Sequence, residues 1–90
     1  MNENERSLRI LLIEDSPVDS LLIRGLLADV PGTSFDVETS ERLSDGLELI
    51  AKGGFDVILS DLTLPDSEGL NTFMQVYGAA GDVPVVVLTG

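Results

Sequence analysis

The chain is predicted to fold as a three-layer α/β domain, a parallel sheet with helices on both faces. Short apolar runs alternate with stretches of helical period from end to end, in the order β-α-β-α-β-α-β. The connections between them are short, which implies strand–helix–strand crossovers and a parallel sheet. The first run, residues 8–13, is apolar except for Arg9, as expected of a strand covered on both sides.

Each element has its own signal. Ser16-Pro17 reads as a helix start, with Ser16 as N-cap, Pro17 at the first helical position and Asp19 in the first turn. Val18, Leu22, Leu26, Ile23, Leu27 and Val30 give that helix a broad apolar face, and Pro31-Gly32 ends it. In residues 35–39, Phe35, Val37 and Thr39 alternate with Asp36 and Glu38, the pattern of a second strand. Leu43, Leu47 and Ile50 restore the helical period over 43–52, closed by Gly53-Gly54. Residues 55–60 form the third strand, followed by a loop over 61–69 marked by Pro65 and Gly69. Leu70, Phe73, Met74 and Tyr77 form the stripe of a third helix, expected to face the core and to stop near residues 78–81. Pro84 opens the last strand, residues 85–88.

Composition narrows the chemistry. The 90 residues suit at most one domain, and 43% apolar content with a mean hydropathy of +0.26 is globular rather than disordered. Lys and Arg total 5 against 16 Asp and Glu, a formal net charge of −11. Such a surface repels a phosphate backbone and an anionic membrane, so neither is an expected partner. With no cysteine and no histidine, thiolate catalysis, Ser-His-Asp catalysis and ordinary zinc sites are excluded within the chain. The acidic N-terminus is unlike a secretory signal and the apolar run ends at Glu14, so a cytoplasmic location is expected.

In a doubly wound sheet, sites form at the carboxyl ends of the strands. Glu14 and Asp15 follow the first strand, Asp61 the third and Thr89 the fourth. If the first and third strands are neighbours, three carboxylates converge there, an unfavourable arrangement unless a cation compensates it. Carboxylates, a backbone carbonyl and water suit Mg²⁺. An aspartate beside Mg²⁺ can attack a phosphoryl group, and the Thr89 hydroxyl would be placed to donate to a phosphoryl oxygen.

Three blocks carry a resemblance. They are Leu11-Leu12-Ile13-Glu14-Asp15-Ser16, the run from Asp56 to Gly69, and Pro84-Val85-Val86-Val87-Leu88-Thr89. In order and spacing they resemble the receiver (response-regulator) domain of two-component signalling. The resemblance implies a flavodoxin-like fold with strand order 2-1-3-4-5, in which this chain reaches the fourth strand. It implies that Asp61 is the phospho-acceptor, taking a phosphoryl group from a histidine kinase or phosphotransfer protein. Glu14, Asp15, Asp61 and the backbone carbonyl of Thr63 would hold Mg²⁺, and Thr89 would be the hydroxyl switch residue. Pro65 and Gly69 would shape the loop of the site.

A departure accompanies it. The family's lysine follows a fifth strand, whereas Lys52, the sole lysine here, ends the second helix. Residues 1–90 are therefore expected to be a partial receiver belonging to a longer protein, with residues 1–7 a polar lead-in. The fourth strand would lie at the sheet edge, apolar and uncharged, open to self-association. A non-phosphorylated docking or dimerisation module is the alternative function. A haloacid-dehalogenase-like hydrolase would need a second aspartate where Thr63 stands, and dinucleotide binding a glycine-rich turn where residues 14–17 stand. The domain is expected to accept a phosphoryl group without being a turnover enzyme. Asp66, Glu68, Glu38, Glu41, Asp45 and Glu48 are expected to be solvated charges.

Overall fold

Arg6–Ile13 (β1) runs through the centre of the sheet, and residues 10–13 of it are almost wholly enclosed. The computed structural model describes residues 6–88. After β1 come α1 (Pro17–Ala28), β2 (Thr33–Ser40), α2 (Leu43–Lys52) and β3 (Val57–Asp61). A short pair, β4 (Thr63–Leu64) and β5 (Ser67–Glu68), precedes α3 (Leu70–Ala80) and β6 (Val85–Leu88).

The main sheet is parallel in the order β2-β1-β3-β6, and β6 is the fourth strand of the sequence reading. β1 therefore neighbours β3, which is the condition for the carboxylates to meet. Period-two alternation splits β1 between two layers. Leu11 and Ile13 join Leu43, Phe55, Ile58, Leu64, Val76 and Ala80 in a core beneath α2 and α3. Ile10 and Leu12, also buried, lie outside that cluster on the alternate face of the strand.

α1 begins as its sequence dictates, with the Ser16 hydroxyl accepting from the Asp19 N–H at 3.3 Å and Pro17 in the first turn. No residue of α1 is fully buried, however, and Val18, Leu21, Leu22 and Leu26 of its apolar face are exposed. β2 alternates in burial as predicted.

Several boundaries differ from the sequence expectation, β2 being longer than 35–39 and β3 beginning at Val57 rather than at residue 55. Arg6 and Ser7 belong to β1 rather than to a lead-in, because they pair with Thr33 and Ser34. Asp61 is the last residue of β3 rather than the first of the loop. That loop is not irregular, since β4 and β5 pair antiparallel through Thr63 with Glu68 and Leu64 with Ser67.

The α3 stripe is also corrected. Thr72, Val76 and Ala80 are the buried positions, whereas Leu70, Met74 and Tyr77 are exposed and Phe73 is half-buried, its ring stacked on Tyr77 at 5.5 Å. Small residues let α3 lie close to the sheet, which turns its larger apolar side chains outward. The Thr72 hydroxyl is satisfied in the core by Ser67 Oγ at 2.7 Å.

Candidate functional site

The ends of β1 and β3 bring Glu14, Asp15 and Asp61 together, with one carboxylate oxygen from each lying within 4.8 Å of the others. The ladder fixes this convergence: Ile13 pairs with Ser60 and Ser40, and the Glu14 N–H donates to the Ser40 carbonyl at 2.9 Å. The side chains differ in environment. Glu14 is buried, Asp61 half-buried and Asp15 exposed. Asp61 is held on its other side by the pairing of β3 with β6, opposite Leu88.

Glu14 is the strained member. Burial, then the hydrogen bond and charge of Asp61, then those of Asp19, push its carboxyl up to about 7. Its Oε2 is enclosed and has no hydrogen-bond partner among the described residues. A buried, orphaned carboxylate oxygen among other carboxylates is the signature of a hard cation's ligand, since the cation would satisfy both the lone pairs and the charge. Asp19, from the first turn of α1, is a fourth acidic group at this rim, lining with Glu14 and Asp61 a groove of about 440 Å³ between α1 and β6. In the sequence Asp19 reads only as a first-turn acid of α1, and its place one turn beyond Asp15 is the signal that sets it at this rim.

The Thr63 N–H donates to Asp61 Oδ1 at 3.1 Å, so the Thr63 peptide stands beside the acceptor candidate. The Gly69 N–H reaches back to the Leu62 carbonyl at 2.8 Å, with Gly69 at φ +67°. Pro65 lies in the turn between β4 and β5. Thr89 falls outside the described residues. Lys52 closes α2, which runs antiparallel to the strands, at the opposite rim of the sheet from Asp61.

A parallel sheet of order β2-β1-β3-β6 with an acidic pair after β1 and an aspartate ending β3 is shared with known proteins. The profile of the response regulator receiver domain matches residues 10–90. The chain belongs to this family. Among receiver relatives, the swarming motility regulation protein RssB of Serratia marcescens is 33% identical over 82 residues, covering 91% of this chain and 36% of that protein. The transcriptional regulatory protein DltR of Streptococcus agalactiae is 34% identical over 82 residues, 91% of this chain and 35% of that protein. This receiver thus spans about a third of the length of these relatives. Among solved structures, the receiver domain of the sensor histidine kinase PA1611 from Pseudomonas aeruginosa, with magnesium coordinated in its active-site cleft, superimposes with a TM-score of 0.77. It is 25% identical and covers 92% of this chain and 67% of that one.

One further charge differs from expectation. Asp66 is not a free solvated carboxylate: it accepts from the Leu43 and Ser44 N–H groups at 2.8 and 3.0 Å, which hold its carboxyl below the usual range. Glu38 lies 3.5 Å from Arg9, whose guanidinium also stacks 4.7 Å above the Phe55 ring. The Arg9 cluster is at the amino ends of the strands, away from the acidic rim.

Proposed function

We propose that this receiver accepts a phosphoryl group on Asp61 from a phosphohistidine of a kinase or phosphotransfer protein, with Mg²⁺ as the cation of the site. The observation that carries the reading is the buried Glu14 carboxylate, orphaned at Oε2 and gathered with Asp15 and Asp61. All donors are oxygen, which suits a small hard cation. Glu14, Asp15, Asp61 and the Thr63 carbonyl would hold it, and the PA1611 receiver, with magnesium in the equivalent cleft, supports the assignment. Bound there, Mg²⁺ would neutralise charge on the phosphoryl oxygens.

The remaining chemistry belongs to the chain. The Thr63 N–H engages Oδ1 of Asp61 and fixes the carboxylate plane. An Asp61 oxygen attacks phosphorus and forms the new O–P bond as the P–N bond of the donor breaks. The bonding pair leaves with the imidazole nitrogen, which takes a proton from solvent. The product is an aspartyl phosphate, so the domain is a phosphorylated switch rather than a turnover enzyme. Thr89 would supply a hydroxyl to the phosphoryl group. A cytoplasmic setting fits such a partner, and among the described residues no helix is long and apolar enough to cross a membrane. The net charge of −11 disfavours direct nucleic-acid contact.

Self-association is a second property we infer, through β6. Among the described residues that strand lies at the edge of the sheet, carries no charge and leaves Val86 47% exposed. As an alternative function, this surface would serve a docking module that takes no phosphoryl group.

Intact mass before and after acetyl phosphate with Mg²⁺ tests the main reading. The expected result is a gain of one phosphoryl group, absent without Mg²⁺ and absent in Asp61→Asn. No gain in the folded wild type would leave the docking reading in its place.

A further inference from the structure

The first turn of α2 has no side-chain cap of its own. Arg42 occupies the N-cap position without a side-chain bond, and the nearby Ser40 hydroxyl is spent on the Arg42 carbonyl at 2.7 Å. The orphan donors of Leu43 and Ser44 are instead taken by the two oxygens of Asp66, 22 residues or more away in sequence. Asp66 sits with Pro65 in the two-residue turn joining β4 to β5, the turn between Asp61 and α3. On the inner side of that turn Leu64 is buried in the core, and at its far end Ser67 bonds Thr72 of α3.

A local serine or aspartate at the N-cap would satisfy α2 equally well. Using a carboxylate from the acceptor loop does something more, because it makes α2 and that loop one mechanical unit. The loop is pinned by Leu64 inward, by Asp66 to α2 and by Ser67 to α3, and the Thr63 peptide that meets Asp61 lies within it.

We propose that Asp66 is a positioning residue for phosphoryl acceptance: its paired hydrogen bonds to α2 fix the Thr63 peptide against Asp61. The inference rests on the assignment of Asp61 as acceptor. Coupling of this kind is reciprocal, so occupation of the Asp61 site is felt at the first turn of α2.

The test compares the 90-residue chain with Asp66→Ala and Asp66→Asn. Phosphoryl uptake from acetyl phosphate is followed by mass, and Mg²⁺ affinity by calorimetry. Amide resonances are read with and without Mg²⁺ and beryllium fluoride. Asp66→Ala is expected to slow uptake about tenfold, and Asp66→Asn, which keeps one of the two acceptor oxygens, to recover part of the loss. In the metal-free chain the Thr63 amide should move in Asp66→Ala. The Leu43 and Ser44 amides should respond to beryllium fluoride in the wild type only. A lower melting temperature in Asp66→Ala with unchanged Mg²⁺ affinity, uptake and Thr63 resonance would reduce Asp66 to a helix cap and overturn the proposal. If the wild type itself takes up no phosphoryl group, the assignment of Asp61 fails instead. The metal-free Thr63 resonance then still decides whether Asp66 positions that peptide.

Discussion

A Cβ placed on Gly46 would lie 2.7 Å from Cδ1 of Ile13 and 3.1 Å from its Cγ1. α2 therefore packs its backbone directly on the strand residue that precedes Glu14, and the glycine is required for contact rather than for backbone conformation. Gly46→Ala should destabilise the domain by about 1–2 kcal/mol in urea unfolding, the overpacking cost being only partly offset by better helix propensity. Because Ile13 adjoins Glu14, Mg²⁺ affinity should fall as well.

Glu14 makes the metal-free domain pH-sensitive. Its carboxyl is raised to about 7 in the fold, whereas in the unfolded chain it titrates near 4.5. Between these values the folded state holds the extra proton, so stability should decline as pH rises from 4.5 towards 7, by about 3 kcal/mol in all. Glu14→Gln should abolish that slope and stabilise the metal-free chain at pH 8, which a pair of denaturation series would show. Mg²⁺ affinity in the wild type should rise over the same interval, since the ligand must be ionised.

Asp61→Asn should do two opposite things. Phosphoryl uptake is lost, and the metal-free domain becomes more stable at neutral pH because Glu14 is relieved of a like charge. Thermal melts with and without Mg²⁺ should show the variant higher without the ion and less responsive to it.

Asp66, exposed yet doubly hydrogen-bonded, has its carboxyl held low by the α2 amides. Its contribution is present above the ordinary aspartate range and is lost as pH falls through the folded value. The protection of the Leu43 and Ser44 amides, relative to intrinsic exchange at the same pH, should fall in acid before the core opens, and Asp66→Ala should show that lower protection already at neutral pH.

Val86→Lys at the open edge should leave folding intact and shift any self-associated species to monomer in sedimentation. Persistence of the dimer in this variant would move the contact away from β6.

The alternation of strands and helices and the capping of α1 were legible in the sequence because each rests on a local or periodic signal, whereas strand order, and with it the convergence of Glu14, Asp15 and Asp61, followed from the family resemblance. Ser16-Pro17 states its own helix start, and an apolar run with polar residues at its end states a buried strand. The misreadings share another cause. The period of α3 identifies a helix, but Thr72 and Ala80 outcompete Met74 and Tyr77 for the interior because close approach to the sheet favours small side chains. Asp66 has no local partner, and its role arises only when the fold brings α2 beside the loop. The buried, unpartnered state of Glu14 likewise depends on what surrounds it, which sequence spacing does not encode.

β1 is clamped along its full 8 residues by β2 and over residues 10–13 also by β3, whereas among the described residues the 4 residues of β6 are held by β3 alone. The sheet is thus graded in lifetime, and its outer strand should detach in excursions that leave the central ladder closed. Glu14 and Asp15 belong to the durable end of that gradient, and Asp61 stands at its border, facing Leu88. In such an excursion the acidic triad would survive while one wall of its groove fell away, so the time during which the site is complete is set by the outer strand.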